Sequence, residues 1–250
     1  MRRREFVLAA VLALPVGVLS AEAGGPPPLA KGDRIVFLGD SITQGGGGPK
    51  GYITLVKNTL DQECKDLGIE VVNAGISGHK VPNLQARLDK DVLSKKPTIV
   101  FIYIGINDVW HWRKDAKSGQ MAGGTTKEKF EEGLKDLIAR IKAAGGRVIL
   151  CTPSVIGEKT DGSNERDKML DEYSDISRKV AADTGTQLND LRKAFLAYLK
   201  EHNKENQPKG ILTSDTVHLN AAGNKFVAAQ MLQALGIKAE PVESKEQPKK

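Results

Sequence analysis

Short, dominantly apolar runs alternate along this chain with stretches whose apolar residues recur at helical period, and few folds accommodate that alternation. Arg34-Ile-Val-Phe-Leu-Gly39 has no polar side and stops at glycine, as a strand covered on both faces does. Ile69 to Asn73, Thr98 to Ile104 and Arg147 to Cys151 repeat the pattern, and a shorter strand is expected near Gln187-Leu188. Between them, Leu55, Val56, Leu60, Cys64 and Leu67 mark a helix over 51–67, and a second is expected over 83–94. Phe130, Leu134, Leu137, Ile138 and Ile141 form one stripe of a third, with Thr125 and Glu128 at capping-box spacing before it. Further helices are expected over 165–183, 190–203 and 221–235. Strands separated by helices imply right-handed crossovers, hence an α/β domain with a mainly parallel sheet of about five strands. Ligands of such sheets bind at the carboxyl ends of the strands. That rule directs attention to the segments after Leu38, Val72, Ile104 and Leu150.

The ends of the chain follow other rules. Arg2, Arg3 and Arg4 precede an apolar run from Phe6 to Leu19 and then Ala21-Glu22-Ala23, which predicts a cleavable secretory signal over 1–23 and an exported protein. The run is shorter than the roughly 20 apolar residues of a membrane-spanning helix, and Pro15 interrupts it. No stable membrane insertion is expected after cleavage. Arg3-Arg4-Glu5-Phe6 resembles a twin-arginine export signal, with Arg2 where Ser or Thr is usual. Residues 24–30, rich in Gly and Pro, read as a stiff linker, and 238–250 as a polar tail without apolar period. One domain over 31–237 remains.

The 250 residues carry 37 Lys and Arg against 31 Asp and Glu, for a net charge of +6. A nucleic-acid partner is not expected, because the charges are interleaved, as in Glu128-Lys129-Phe130-Glu131-Glu132, without an Arg/aromatic cluster. With four His and two Cys there is little material for a metal cage, and a disulfide scaffold is excluded. Cys64, on a helix stripe, and Cys151, at a strand end, read as buried free thiols.

Four strand-end or loop segments carry chemistry. Gly39-Asp40-Ser41 puts a hydroxyl directly beyond a buried strand. The Gly45–Gly48 run that follows lacks the Lys-Ser/Thr ending of a phosphate loop and reads as a flexible surface loop. Asn73-Ala-Gly75-Ile-Ser-Gly78 offers small residues whose backbone N–H groups can approach a ligand. Gly105-Ile-Asn107-Asp108 offers an amide. Asp215-Thr-Val-His218 places a carboxylate where it can orient an imidazole. Together these are a nucleophile, a base, an orienter and oxyanion donors, the inventory for acyl transfer.

At these residues the chain resembles the SGNH hydrolases, also called the GDSL esterase/lipase family, with Ser41, Gly75, Asn107 and His218 matching the four letters in order. Ile42 stands where the family name has Leu. The resemblance, from about Asp33 to Leu235, implies a three-layer α/β/α flavodoxin-like sandwich. It further implies Ser41 as nucleophile, His218 as base and Asp215 as its orienter. The oxyanion donors would be the Ser41 and Gly75 N–H groups and the Asn107 amide, with no metal or cofactor. The substrate expected is a small-molecule or carbohydrate ester, most simply acetyl on carbohydrate. A lipid acyl hydrolase of the lysophospholipase or thioesterase type and a non-catalytic envelope binding protein are the alternatives. Oligomeric state has no signature.

Trp110 and Trp112 either wall the acceptor side of the cleft or pack under the insertion over 117–124. Tyr52 either lines the cleft or starts a helix. Asp40 and Asp108 read as local braces, His111 lacks a partner carboxylate, and His79 and His202 read as surface residues.

Overall fold

The computed structural model describes residues 25–238. The expected signal segment and all but Lys238 of the expected tail lie outside that range. Seven strands are described: β1 (Arg34–Gly39), β2 (Glu70–Gly75), β3 (Ile99–Tyr103), β4 (Arg113–Lys114), β5 (Met121–Ala122), β6 (Arg147–Cys151) and β7 (Gln187–Asn189). The helices are α1 (Ser41–Gly46), α2 (Tyr52–Glu63), α3 (Val81–Asp91), α4 (Ile106–Trp110), α5 (Lys127–Ala143), α6 (Asp167–Asp183), α7 (Leu191–His202) and α8 (Ala221–Ala234).

β1, β2, β3, β6 and β7 form one parallel sheet in the order β2-β1-β3-β6-β7. That is the flavodoxin-like order, with the reversal at β1/β3. The chain steps from β1 to β2 in one direction and then across β3, β6 and β7 in the other. Right-handed crossovers therefore put α2 on one face and α3, α5 and α6 on the opposite one. The packing agrees: α2 lies against α8, while α3 meets α5 and α5 meets α6. Phe195 of α7 stands edge-on to Phe226 of α8. β1 and β3 are buried along nearly their whole length, and Phe37 stacks on Phe101 at 4.8 Å between ring centroids. β4 and β5 form a two-stranded antiparallel ribbon outside the sheet.

Several local expectations shift. The cap of α5 is Thr126, whose hydroxyl accepts the Lys129 N–H; Thr125 instead is buried and donates its N–H to the Asp108 carbonyl. α3 starts at Val81, two residues early, because the Asn83 side chain reaches back to the Lys80 N–H at 3.0 Å. Gly45 and Gly46 belong to α1 and not to a loose loop. A side chain at Gly46 would collide with the Tyr52 ring. Cys151 is buried and Cys64 half-buried, and both are free.

The sheet's reversal point is tightly built at Gly39. A Cβ there would overlap both the Thr43 hydroxyl of α1 and the Tyr103 backbone carbonyl of β3. The carbonyl cannot yield without moving a central strand. Gly39→Ala is therefore expected to destabilise the protein by about 1–3 kcal/mol, a drop in Tm of roughly 3–10 °C by calorimetry. An unchanged Tm would show slack between α1 and β3.

Candidate active site

Ser41 is the first residue of α1, directly beyond β1. Asp40 caps the helix, its Oδ1 accepting the Ile42 N–H at 2.9 Å. The cap turns the chain sharply at the strand end and leaves the Ser41 N–H without an acceptor among the described residues. The Ser41 Oγ lies 2.9 Å from His218 Nε2, across 177 residues of chain. His218 Nδ1 lies 2.7 Å from Asp215 Oδ2. The other oxygen of Asp215 accepts the backbone N–H groups of Val217, at 3.1 Å, and His218, at 2.8 Å. Spacing of three residues thus lets one carboxylate hold both the turn and the ring. Partial burial pushes the Asp215 carboxyl upward, but those N–H donors and the imidazole outweigh it and hold its pKa below the ordinary value. A carboxylate on Nδ1 selects the tautomer with its proton there, so Nε2 can take the Ser41 proton. Thr216, inside this turn, has φ +90°, a strained conformation for a β-branched residue.

Asn107 follows Gly105, whose φ of +124° turns the chain out of β3 in a conformation that glycine tolerates. Its buried amide Nδ2 donates to the His79 carbonyl at 3.1 Å, with Asp40 Oδ2 at 3.4 Å. The Gly75 N–H donates to Asn73 Oδ1 at 2.8 Å, and the Asn73 amide continues to the carbonyls of Thr43 and Gln44. A side chain at Gly75 would overlap the Gln44 backbone. Gly75 is thus a close-packing point whose donor is already engaged. Three residues on, Gly78 has φ +77°, open space where a Cβ would stand, and an N–H with no acceptor among the described residues. It is bracketed by Ser77, whose N–H reaches Gln44 Oε1 at 2.8 Å, and by His79, whose carbonyl holds Asn107.

A family model described as the GDSL-like Lipase/Acylhydrolase family matches residues 37–226. The chain belongs to this family. It is accordingly a carboxylic ester hydrolase. It is 32% identical over 222 residues to an acetylxylan esterase of Geobacillus stearothermophilus, covering 83% of this chain and 96% of that one. It is 27% identical to an isoamyl acetate-hydrolyzing esterase 1 homolog of Rattus norvegicus, covering 78% of each. Among solved structures, the acetyl xylan esterase AlAXEase superposes with a TM-score of 0.75 at 46% identity, covering 81% of this chain and 99% of that one. Solved variants of the Geobacillus enzyme, each described as a catalytic mutant, replace a serine, an aspartate and a histidine, the last two being three residues apart.

Within this GDSL-family hydrolase the aromatic candidates separate. Trp110 stands beside the site, its ring centroid 6.5 Å from that of His218. Trp112 turns away. Its ring fills the space a Gly124 side chain would need, and it lines a different shallow groove with Met121, Met169 and Tyr173. Tyr52 does not line the cleft: it is fully buried, edge-on to Phe37, with its hydroxyl on Thr43 Oγ1 at 3.1 Å. Gly46, at the end of α1, lets the chain fold over that ring. His79 is half-buried and not a lone surface residue; its Nδ1 accepts from Arg87 Nε at 3.1 Å. Arg87, which the sequence did not single out, also donates to the Gly39 and Ala74 carbonyls at 3.0 and 2.8 Å, tying together the ends of β1 and β2.

Two buried acids underlie the site. Burial pushes the Asp40 carboxyl up to about 7 against the pull of the Ile42 N–H, with Asp108 raising it further. Burial likewise lifts Asp108 to about 6 despite the Val81 N–H on its Oδ1 at 3.1 Å. An acid raised in the folded state holds a proton that the unfolded chain releases. Stability from Asp40 is therefore greatest near pH 4 and declines as pH rises through about 7. Asp40→Asn, which keeps a capping oxygen, should raise Tm relative to wild type by roughly 3–8 °C more at pH 8 than at pH 5. An equal difference at both pH values would contradict this assignment.

Proposed function

We propose that this hydrolase removes short acyl groups, acetyl above all, from carbohydrate, through an acyl-enzyme on Ser41. The observation that carries the reading is the continuous row from Ser41 Oγ to His218 Nε2 at 2.9 Å and from Nδ1 to Asp215 at 2.7 Å. Ser41 Oγ attacks the ester carbonyl as its proton passes to His218 Nε2. The resulting imidazolium, supported by Asp215, protonates the departing sugar oxygen as the ester bond breaks. Water then attacks the acyl-serine, giving its proton to His218. The carboxylic acid leaves and Ser41 regains its proton.

The oxyanion would be held by the Ser41 N–H, the Gly78 N–H and the Asn107 amide. Gly78 replaces Gly75 in this role because the Gly75 N–H is engaged by Asn73, whereas the Gly78 N–H is free to turn toward a ligand. The sugar acceptor is supported by the named activity of the acetylxylan esterase relatives and by Trp110 beside His218, since an aromatic face suits a pyranose ring. The polar insertion that carries β4 and β5 is a poor cover for a long acyl chain. The basic and apolar N-terminal segment supports export, which would put the enzyme where acetylated polysaccharides are met.

Three results are expected. Ser41→Ala should abolish turnover and labelling by a fluorophosphonate probe. Asn107→Ala should lower kcat roughly 10²–10³-fold with the fold intact by circular dichroism. Acetylated xylooligosaccharides should exceed long-chain lysophospholipids in kcat/KM, and the reverse order would overturn the carbohydrate assignment.

A further inference from the structure

The segment that carries Asp215 and His218 has no regular secondary structure apart from one bridge, Thr213 to Leu219. It nevertheless has to deliver an imidazole to within hydrogen-bond reach of a hydroxyl on the far side of the sheet edge. Its internal bonds close it on itself: Ser214 N–H to the His218 carbonyl at 2.8 Å, and Asn220 N–H to the Leu212 carbonyl at 2.9 Å. Those bonds shape the loop but do not set its position. Leu212 and Val217 anchor it in the core, and two consecutive residues beyond β6 add the polar contacts on that side. The Gly157 N–H donates to the Thr216 carbonyl at 2.8 Å. Glu158 contributes its whole carboxyl group.

Glu158 is fully buried. Its Oε2 accepts the Ile211 N–H at 2.8 Å, and its Oε1 accepts the N–H groups of Leu212 at 2.7 Å and Thr213 at 2.6 Å. Three successive backbone donors thus converge on one acid, as they do in the backbone concavities that bind anions. The residue's own backbone is fastened as well, its N–H to the Pro208 carbonyl at 3.0 Å and its carbonyl to Asn203 Nδ2 at 2.7 Å. No Lys, Arg or His among the described residues pairs with it. A buried acid answered only by backbone N–H groups is costly to remove, because its donors have no other partner.

We infer that Glu158 is a positioning residue for the ester hydrolysis, its carboxyl group clamping residues 211–213 and so setting the height of the Asp215–His218 turn over Ser41. The inference rests on the Ser41–His218–Asp215 reading above. Glu158 touches neither His218 nor substrate; it acts through the loop. Loosening it leaves Ser41, Gly78, Asn107 and Trp110 in place, so substrate capture is spared while proton transfer suffers.

Glu158→Gln is the discriminating variant. The amide oxygen can still accept from Leu212 and Thr213, but the NH₂ group then faces the Ile211 N–H, donor against donor. With p-nitrophenyl acetate, and with active sites counted by fluorophosphonate titration, kcat per titrated site is expected to fall more than tenfold with KM within about threefold of wild type. The downfield ¹H NMR signal of the His218 Nδ1 proton should broaden in parallel. Glu158→Asp, one methylene shorter, is measured alongside in case the amide fails to fold, and the same tenfold criterion applies. If kcat per titrated site stays above a tenth of wild type in the folded variant, Glu158 is merely structural and the inference is overturned, whatever Tm does. Ser41→Ala in the same assay separates the two levels. A dead Ser41→Ala beside an unimpaired Glu158→Gln defeats this inference alone, whereas an active Ser41→Ala defeats the triad reading and this inference with it.

Discussion

At the carboxyl edge of a parallel sheet covered on both faces, backbone carbonyls and N–H groups lose their ladder partners in a place where water is scarce, and the way they are satisfied organises this molecule's site. The carbonyls of Gly39, which ends β1, and Ala74, next to the end of β2, share one guanidinium, that of Arg87, and Gly39 also takes the Ile76 N–H. Asp40 meets the first turn of α1, and Asn73 fastens the end of β2 to that same helix. After this closure, the N–H groups of Ser41 and Gly78 are left without acceptors among the described residues, beside a buried amide. A pocket of donors is thus left at the strand ends, above the buried Asp108, whose Oδ2 has no partner among the described residues.

The electrostatics follow the same logic. Acyl transfer generates negative charge on the substrate, yet Asp40 and Asp108 lie buried close by and Glu158 lies buried under the base loop. The acids differ in how they are answered. Asp215 is partly exposed and well supplied with donors, which hold its pKa below the ordinary value. Asp40 and Asp108 are deeply buried and thinly supplied, so their charged forms are disfavoured. Charge is concentrated where it supports the imidazole and suppressed beneath the amide.

The sheet was legible in the sequence because strands buried on both faces have little freedom in composition, and Ile35, Phe37, Val100 and Phe101 announce themselves. Ser41, Asp215, Asn107 and His218 were legible because each stands just beyond such an element or at a fixed spacing. What was not legible depends on contacts far apart in the chain. Gly75 and Gly78 look equivalent in Asn-Ala-Gly-Ile-Ser-Gly, and only the Asn73 side chain decides which N–H is engaged. Tyr52 follows a glycine run that suggested openness, but Gly46 of that run lies directly on the ring, where no side chain would fit. Arg87 and Glu158 gave no signal at all, because the groups they serve lie 13 to 55 residues away in the chain.

The row from Ser41 to His218 has a temporal side. The serine leaves the ribosome early, and the imidazole follows 177 residues later, just before the last helix. A nascent or prematurely ended chain can build most of the sheet and still hold a serine with no base beside it. On the acyl-enzyme reading such a chain is inert toward the esters around it. On the acyl-enzyme reading, activity requires α8 to dock against α2 and bring the loop before it to Ser41, so hydrolysis would report that the two ends of the domain have met.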